Sequence, residues 1–260
     1  MAIRSDDGVA VRIPVRYYAH MIEPLQEQEY DFPYHHLVEV APFSETKHLF
    51  WGYAYAAYIE KILDLLAARS FASLIDIGTG DGKILKEVAR RFPGTRLVGA
   101  DYSEKSLRFA HAFSPQIEFV SSSEERFDAF LLIEVIEHIP VAELGRFVAS
   151  LRKNLKDDGF GIITTPSKNA PLIPKHFQHF DRETLERAVG THFTIESFGY
   201  LNARTFGARV IARLLANRLF ILNYAPAVRF LYALYAKRYA QATPDTGERV
   251  FAVVRPAITS

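Results

Sequence analysis

Glu134, Glu137 and His138 fall at i, i+3 and i+4 in the string Ile133-Glu134-Val135-Ile136-Glu137-His138. One helical turn there would bring two carboxylates and an imidazole to one face. Such a set could hold a divalent cation, and its hard oxygen ligands favour Mg²⁺ or Mn²⁺. His176, or His179 three residues on, could supply a fourth ligand. The imidazoles of His138, His176 and His179 would equally suit a general base. The alternative is structural, with the glutamates capping a helix and the histidines packing.

A second constellation lies upstream, in Asp76-Ile77-Gly78-Thr79-Gly80-Asp81-Gly82. Glycines directly after a first strand let the backbone turn tightly and approach a ligand, while the next helix aims its N-terminus at it. The spacing is G-x-G-x-G; the dinucleotide fingerprint needs G-x-G-x-x-G, and position 83 is Lys. Asp101, in Val98-Gly99-Ala100-Asp101-Tyr102, stands where a second strand would end and an acid would accept bonds from ribose hydroxyls.

The elements that must position these residues alternate. Short apolar runs at 74–77, 96–100, 117–120, 130–133 and 161–165 read as strands. Helical patterns fill 53–68, 82–92, 103–113 with Ser103 as N-cap, 141–155, and 182–189 with Asp181 as N-cap. Residues 193–201 read as a sixth strand and 249–254 as the last. The expectation is an α/β fold with a doubly wound, mainly parallel sheet. Between the last two strands, Arg209, Arg213 and Asn217 recur on one helical face opposite Val210, Ile211, Leu214 and Leu215. A second helical pattern follows Pro226. Residues 17–50 are crowded with aromatics, histidines and prolines.

Taken in order, "LIDIGTGDGKIL", "LVGADYSEKSL", "FDAFLLIEVIEHIP" and "LKDDGFGIITTP" resemble the class I S-adenosylmethionine-dependent methyltransferases, over roughly residues 73–201. The resemblance implies a Rossmann-like, seven-stranded sheet whose last strand is antiparallel. It implies that Asp76, Gly78, Thr79, Gly80 and Gly82 contact the methionine part of the cofactor. Asp101 would hold the ribose diol, Tyr102 would pack on adenine, Ser122 would stand near the adenine amino group, and Glu134 would line the cofactor face. The E-x-x-E-H string is similar to that of ubiquinone-biosynthesis O-methyltransferases and of enzymes that methylate 2′-hydroxyls at small-RNA 3′ ends. Either likeness implies a metal that binds and acidifies an acceptor hydroxyl. The candidate ligands are Glu134, Glu137, His138 and His176, and the catalytic candidates are His138 and His179.

That topology divides the chain into an aromatic cap segment (1–52), a core (53–201), a helical insert over the active site (202–247), and a last strand with tail (248–260). The cap segment and the insert would wall the acceptor pocket. Lys plus Arg number 31 against 30 for Asp plus Glu, a formal charge of +1, which argues against bulk nucleic-acid binding. The absence of cysteine removes thiolate ligands and nucleophiles. Without a signal-like N-terminus or a long apolar run, a cytoplasmic protein is expected, with the basic helices of 202–247 suited to a membrane surface or a second copy. The expected function is methylation of an oxygen on a small, apolar molecule. The alternatives are metal-dependent RNA 2′-O-methylation and a catalytically silent S-adenosylmethionine-binding scaffold.

Overall fold

The computed structural model describes residues 46–215, 222 and 224–257, with side chains from Tyr53 onward. The expected cap segment lies outside the described residues up to 45. Helix α1 (Thr46–Ala67) starts before the expected core boundary at 53 and leads into β1 (Ser73–Ile77). There follow α2 (Lys83–Arg91), β2 (Arg96–Ala100), α3 (Glu104–Phe113), β3 (Glu118–Val120), β4 (Phe127–Ile133) and a 3-10 turn (Ile136–His138). Next come α4 (Val141–Lys153), β5 (Leu155–Pro166), α5 (Arg182–Val189), β6 (Phe193–Ala203), α6 (Phe206–Leu215), α7 (Ala225–Arg238), β7 (Gln241–Ala242) and β8 (Gly247–Pro256).

The strands form one sheet in the order β3-β2-β1-β4-β5-β8-β6-β7. β1 to β5 are parallel, and β8 runs antiparallel between β5 and β6. The two-residue β7 adds an eighth strand to the expected seven, at the edge beside β6. Between β1 and β4 the strand order reverses, and the crevice outside their carboxyl ends is where ligands bind in open α/β sheets.

Alternating side chains divide the core into two layers. Ile75, Phe130, Leu132 and Ile163 face α4 and α5, while Leu74, Leu131, Ile133 and Ile162 face α1 and α2. Phe130 is fully buried against Phe193, ring centroids 5.6 Å apart, and its loss would cost about 3–5 kcal/mol. Two helices start where the sequence indicates. The Ser103 hydroxyl accepts from Ser106 N–H, and Asp181 and Thr184 form a capping box.

The insert departs from its expected faces. α6 buries Ala208, Ile211 and Leu215 against Ala57 of α1, and leaves Val210 and Leu214 exposed beside Arg209 and Arg213. The stripe chosen by α1 is narrower than the apolar half of the helix, because small Ala57 and Ala208 let the two helices approach there.

Candidate active site

The chain turns immediately after β1. Gly78, Gly80 and Gly82 take φ of 77°, 57° and 77°, the left-handed region that glycine enters without strain. At Gly78 a Cβ would lie 2.4 Å from Val135 Cγ2, so no larger residue fits between this loop and the exit of β4. Gly78 N–H and Thr79 N–H donate to the Ala100 carbonyl at 2.8 and 3.1 Å, tying the loop to the end of β2. Asp101 then fixes the turn from both sides. Its Oδ2 accepts from Gly80 N–H at 2.8 Å and its Oδ1 from Ser103 N–H at 2.9 Å.

Asp76 is 1% exposed and its Oδ1 accepts no hydrogen bond. Burial pushes its carboxyl up to about 7, with the Asp101 charge adding to the rise and the Thr79 hydroxyl opposing it. A buried carboxyl with an unsatisfied oxygen, at the switch point, is a ready partner for a ligand cation. Tyr102 is half-buried next to Asp101, and Ser122 is exposed just beyond β3.

The exit of β4 is built differently from the single helical turn expected. Glu134 has φ 56°, which breaks any helical continuation from β4. Its side chain turns to Arg249 on β8, whose Nε donates to Oε2 at 2.9 Å, and Oε1 lies 3.4 Å from both the Thr164 and Tyr58 hydroxyls. Tyr58, buried on α1, also shares a hydrogen bond with Thr164, and the Arg249 guanidinium stands 5.7 Å from its ring centroid. Burial, reinforced by the Glu134 charge, holds the Tyr58 hydroxyl well above its usual range. Glu134 therefore does not join Glu137 and His138 on one face, and its placement as a metal ligand is corrected. The expected set loses it to a cation 115 residues away in the chain.

Glu137, His138 and His176 do converge, with ligand atoms within 4.8 Å of one another. Glu137 is 1% exposed; Oε2 accepts from the Thr165 hydroxyl at 3.0 Å, while Oε1 has no hydrogen-bond partner and lies 4.0 Å from His138 Nε2. Burial, then the Glu134 charge, pushes this carboxyl well above its ordinary value. The segment after β5 folds back to complete the cluster, with Phe177 N–H donating to the Glu137 carbonyl at 2.9 Å.

Backbone carbonyls set the histidine tautomers. His138 Nδ1 lies 2.9 Å from the Lys175 carbonyl and must donate to it, which leaves the lone pair on Nε2. His179 Nδ1 donates to the Ala170 carbonyl at 3.1 Å, so its Nε2 accepts from His176 Nδ1 at 2.8 Å. The lone pair of His176 is thereby placed on Nε2 as well. Burial, then the neighbouring His138 and His179, lowers the His176 pKa to about 3, so the ring is neutral. His179 stands behind His176 and orients it.

Sequence reasoning did not find Tyr58 or Arg249. No local spacing marks either one; both are placed by tertiary packing of α1 and β8 against the ends of β4 and β5.

A family model described as a methyltransferase domain matches residues 50–212. Curated relatives include ubiquinone biosynthesis O-methyltransferases. The one from Mesorhizobium japonicum is 32% identical over 157 residues, covering 49% of this chain and 62% of that protein. The one from Parvibaculum lavamentivorans is 32% identical over 127 residues, covering 39% and 49%. The chain thus matches about half to three fifths of the length of these relatives. Among solved structures, a SAM dependent methyltransferase from Archaeoglobus fulgidus superposes with TM-score 0.51 at 15% identity, covering 76% of this chain and 94% of that one. PH0226 protein from Pyrococcus horikoshii OT3 gives TM-score 0.55 at 16% identity, covering 89% and 99%. With its sheet order, left-handed glycine turn and family match over most of its length, the chain belongs to the methyltransferase-domain family and has the fold of S-adenosylmethionine-dependent methyltransferases.

Proposed function

We propose that the chain transfers a methyl group from S-adenosylmethionine to a hydroxyl oxygen of a small, apolar molecule. The observation that carries the reading is the unpartnered, buried Asp76 oxygen beside three left-handed glycines and the Asp101 carboxylate. These residues fit the cofactor. Asp76 receives its ammonium group, the Gly78–Gly82 turn with Thr79 lets backbone approach its methionine part, Asp101 takes the ribose hydroxyls, Tyr102 the adenine face and Ser122 the adenine edge. The cofactor supplies an electrophilic methyl on sulfonium sulfur, open to in-line attack. Glu134, locked to Arg249, closes the methionine end from the β4 side.

An acceptor hydroxyl must lose its proton as it attacks. Glu137, His138 and His176 fit a divalent cation on donor chemistry: one buried carboxylate oxygen lacks a partner, and two imidazole lone pairs are set by backbone. Two nitrogens and one oxygen suit Zn²⁺ or Mn²⁺ better than the Mg²⁺ favoured by the expected pair of carboxylates. Such an ion lowers the pKa of a bound hydroxyl. His138 remains the catalytic candidate nearest that point, and His179 is a positioning residue that holds His176.

The oxygen acceptor draws support from the relatives named for O-methyl transfer in ubiquinone biosynthesis. No observation favours an RNA end or a silent binding role over this reading. The test is label transfer from S-adenosylmethionine to a panel of phenols, lipids with free hydroxyls and RNA 3′ ends, with and without Mn²⁺, Zn²⁺ and chelator. The expected result is labelled small phenols, with His176→Ala and chelator each lowering turnover. Label on RNA alone, or no label on any acceptor despite cofactor binding, would overturn the proposal.

A further inference from the structure

The protein's positive charge is unevenly spread. Between Ser197 and Pro244 the chain carries seven basic residues and no acidic one, which leaves 24 basic against 30 acidic residues elsewhere. This basic stretch includes α6 and α7, which pack through Ala57, Ala208, Ile211, Leu215 and Tyr235 onto α1 and turn their other faces outward.

Those outward faces are apolar as well as basic. On α6, Phe206, Val210 and Leu214 recur at i, i+4 and i+8 and are 76%, 41% and 42% exposed, flanked by exposed Arg209 and Arg213. On α7, Phe230 is 67% exposed beside exposed Arg229, and Tyr224 is 66% exposed at the helix start. The remaining exposed large apolar side chains among the described residues are Val141, Leu172, Ile173 and Phe177. All of these residues lie in segments that leave the carboxyl ends of β4, β5 and β6. Among the described residues the exposed large apolar side chains thus belong to connections that follow these strands, with α6 and α7 packed on Ala57 beside Tyr58, and the basic excess overlaps them.

We infer that this end of the molecule docks on an anionic lipid bilayer, with α6 and α7 lying in the headgroup region. Basic side chains meet the negative surface while Phe206, Val210 and Phe230 enter the acyl boundary. Among the described residues no helix is long and apolar enough to cross a membrane. Charge complementarity favours this occupant over a second copy, since two such faces would bring like charges together. The interleaved aliphatic and phenyl groups favour lipid over a nucleic acid, whose phosphates they would not meet. An acceptor dissolved in the bilayer would then reach the site from the membrane side, although docking does not depend on the methyl-transfer reading.

The test is co-sedimentation of the full chain with vesicles of phosphatidylcholine alone or mixed with phosphatidylglycerol, at low and high salt. Binding is expected to the mixed vesicles only and to fall with salt. Arg209→Gln with Arg213→Gln should weaken it about thirtyfold, which is ~2 kcal/mol at about 1 kcal/mol per basic side chain. Phe206→Ser with Phe230→Ser should weaken it at least tenfold. Circular dichroism and cofactor titration confirm that both variants are folded. Equal binding to neutral and mixed vesicles, binding to neither, or no effect of either variant would overturn the inference. So would a dimer in solution that the Phe206→Ser, Phe230→Ser variant dissolves.

Discussion

With the cofactor ammonium placed against Asp76 as proposed, cofactor affinity should depend on pH. Burial pushes the Asp76 carboxyl up to about 7, from an ordinary value of 3.8. A raised carboxyl stabilises the fold fully below the unfolded value and loses that contribution as pH rises to the folded one. The free protein therefore gives up about 4 kcal/mol between roughly pH 4 and pH 7, at about 1.36 kcal/mol per pKa unit. A cofactor ammonium against Oδ1 requires the ionised form, so below about pH 7 binding must also expel a proton. Affinity should fall close to tenfold from about pH 7.5 to about pH 6, since the ionised fraction falls by that factor. The assay is calorimetric titration at both pH values with S-adenosylmethionine, and with 5′-methylthioadenosine, which lacks the ammonium. Only the first should show the pH dependence, and Asp76→Asn should abolish it while weakening binding by about 1.5–3 kcal/mol. Equal affinity of S-adenosylmethionine at the two pH values, or an equal dependence for both ligands, would refute the reasoning.

Other substitutions probe the parts separately. Gly78→Ala places a methyl 2.4 Å from Val135 Cγ2 at a φ of 77°, and should lower stability by about 1–3 kcal/mol in denaturant unfolding and also weaken cofactor binding. Asp101→Ala removes the acceptor for Gly80 and Ser103 N–H and should weaken the cofactor by about 1.5–3 kcal/mol, read by the same titration. Arg249→Met strands Glu134 beside Tyr58; because both partners are about a quarter exposed, the loss in thermal or denaturant unfolding should be about 1–2 kcal/mol, below that of a fully buried pair.

The glycine loop and Asp101 were legible in the sequence because their chemistry is local. A left-handed turn needs glycine at 78, 80 and 82, and an acid one strand later can reach back to Gly80. Ser103 and Asp181 were legible for the same reason, as caps satisfy backbone groups within three residues. Glu134 was not, for its partner comes from β8, which pairs with β5 and brings Arg249 beside the end of β4. With Glu134 drawn to Arg249, three of the four expected metal ligands, Glu137, His138 and His176, remain gathered, an outcome that spacing alone does not encode. The faces of α6 were misassigned because amphipathicity names two apolar flanks, and only the surface of α1 decides which is buried.

The most direct measurement of the central claim is calorimetric titration of the full chain with S-adenosylmethionine, S-adenosylhomocysteine and NAD. The site at Asp76–Gly82 and Asp101 predicts saturable one-to-one binding of the first two, weakened by about 1.5–3 kcal/mol in Asp101→Ala, and none of NAD. Binding of NAD without either adenosyl compound would contradict it.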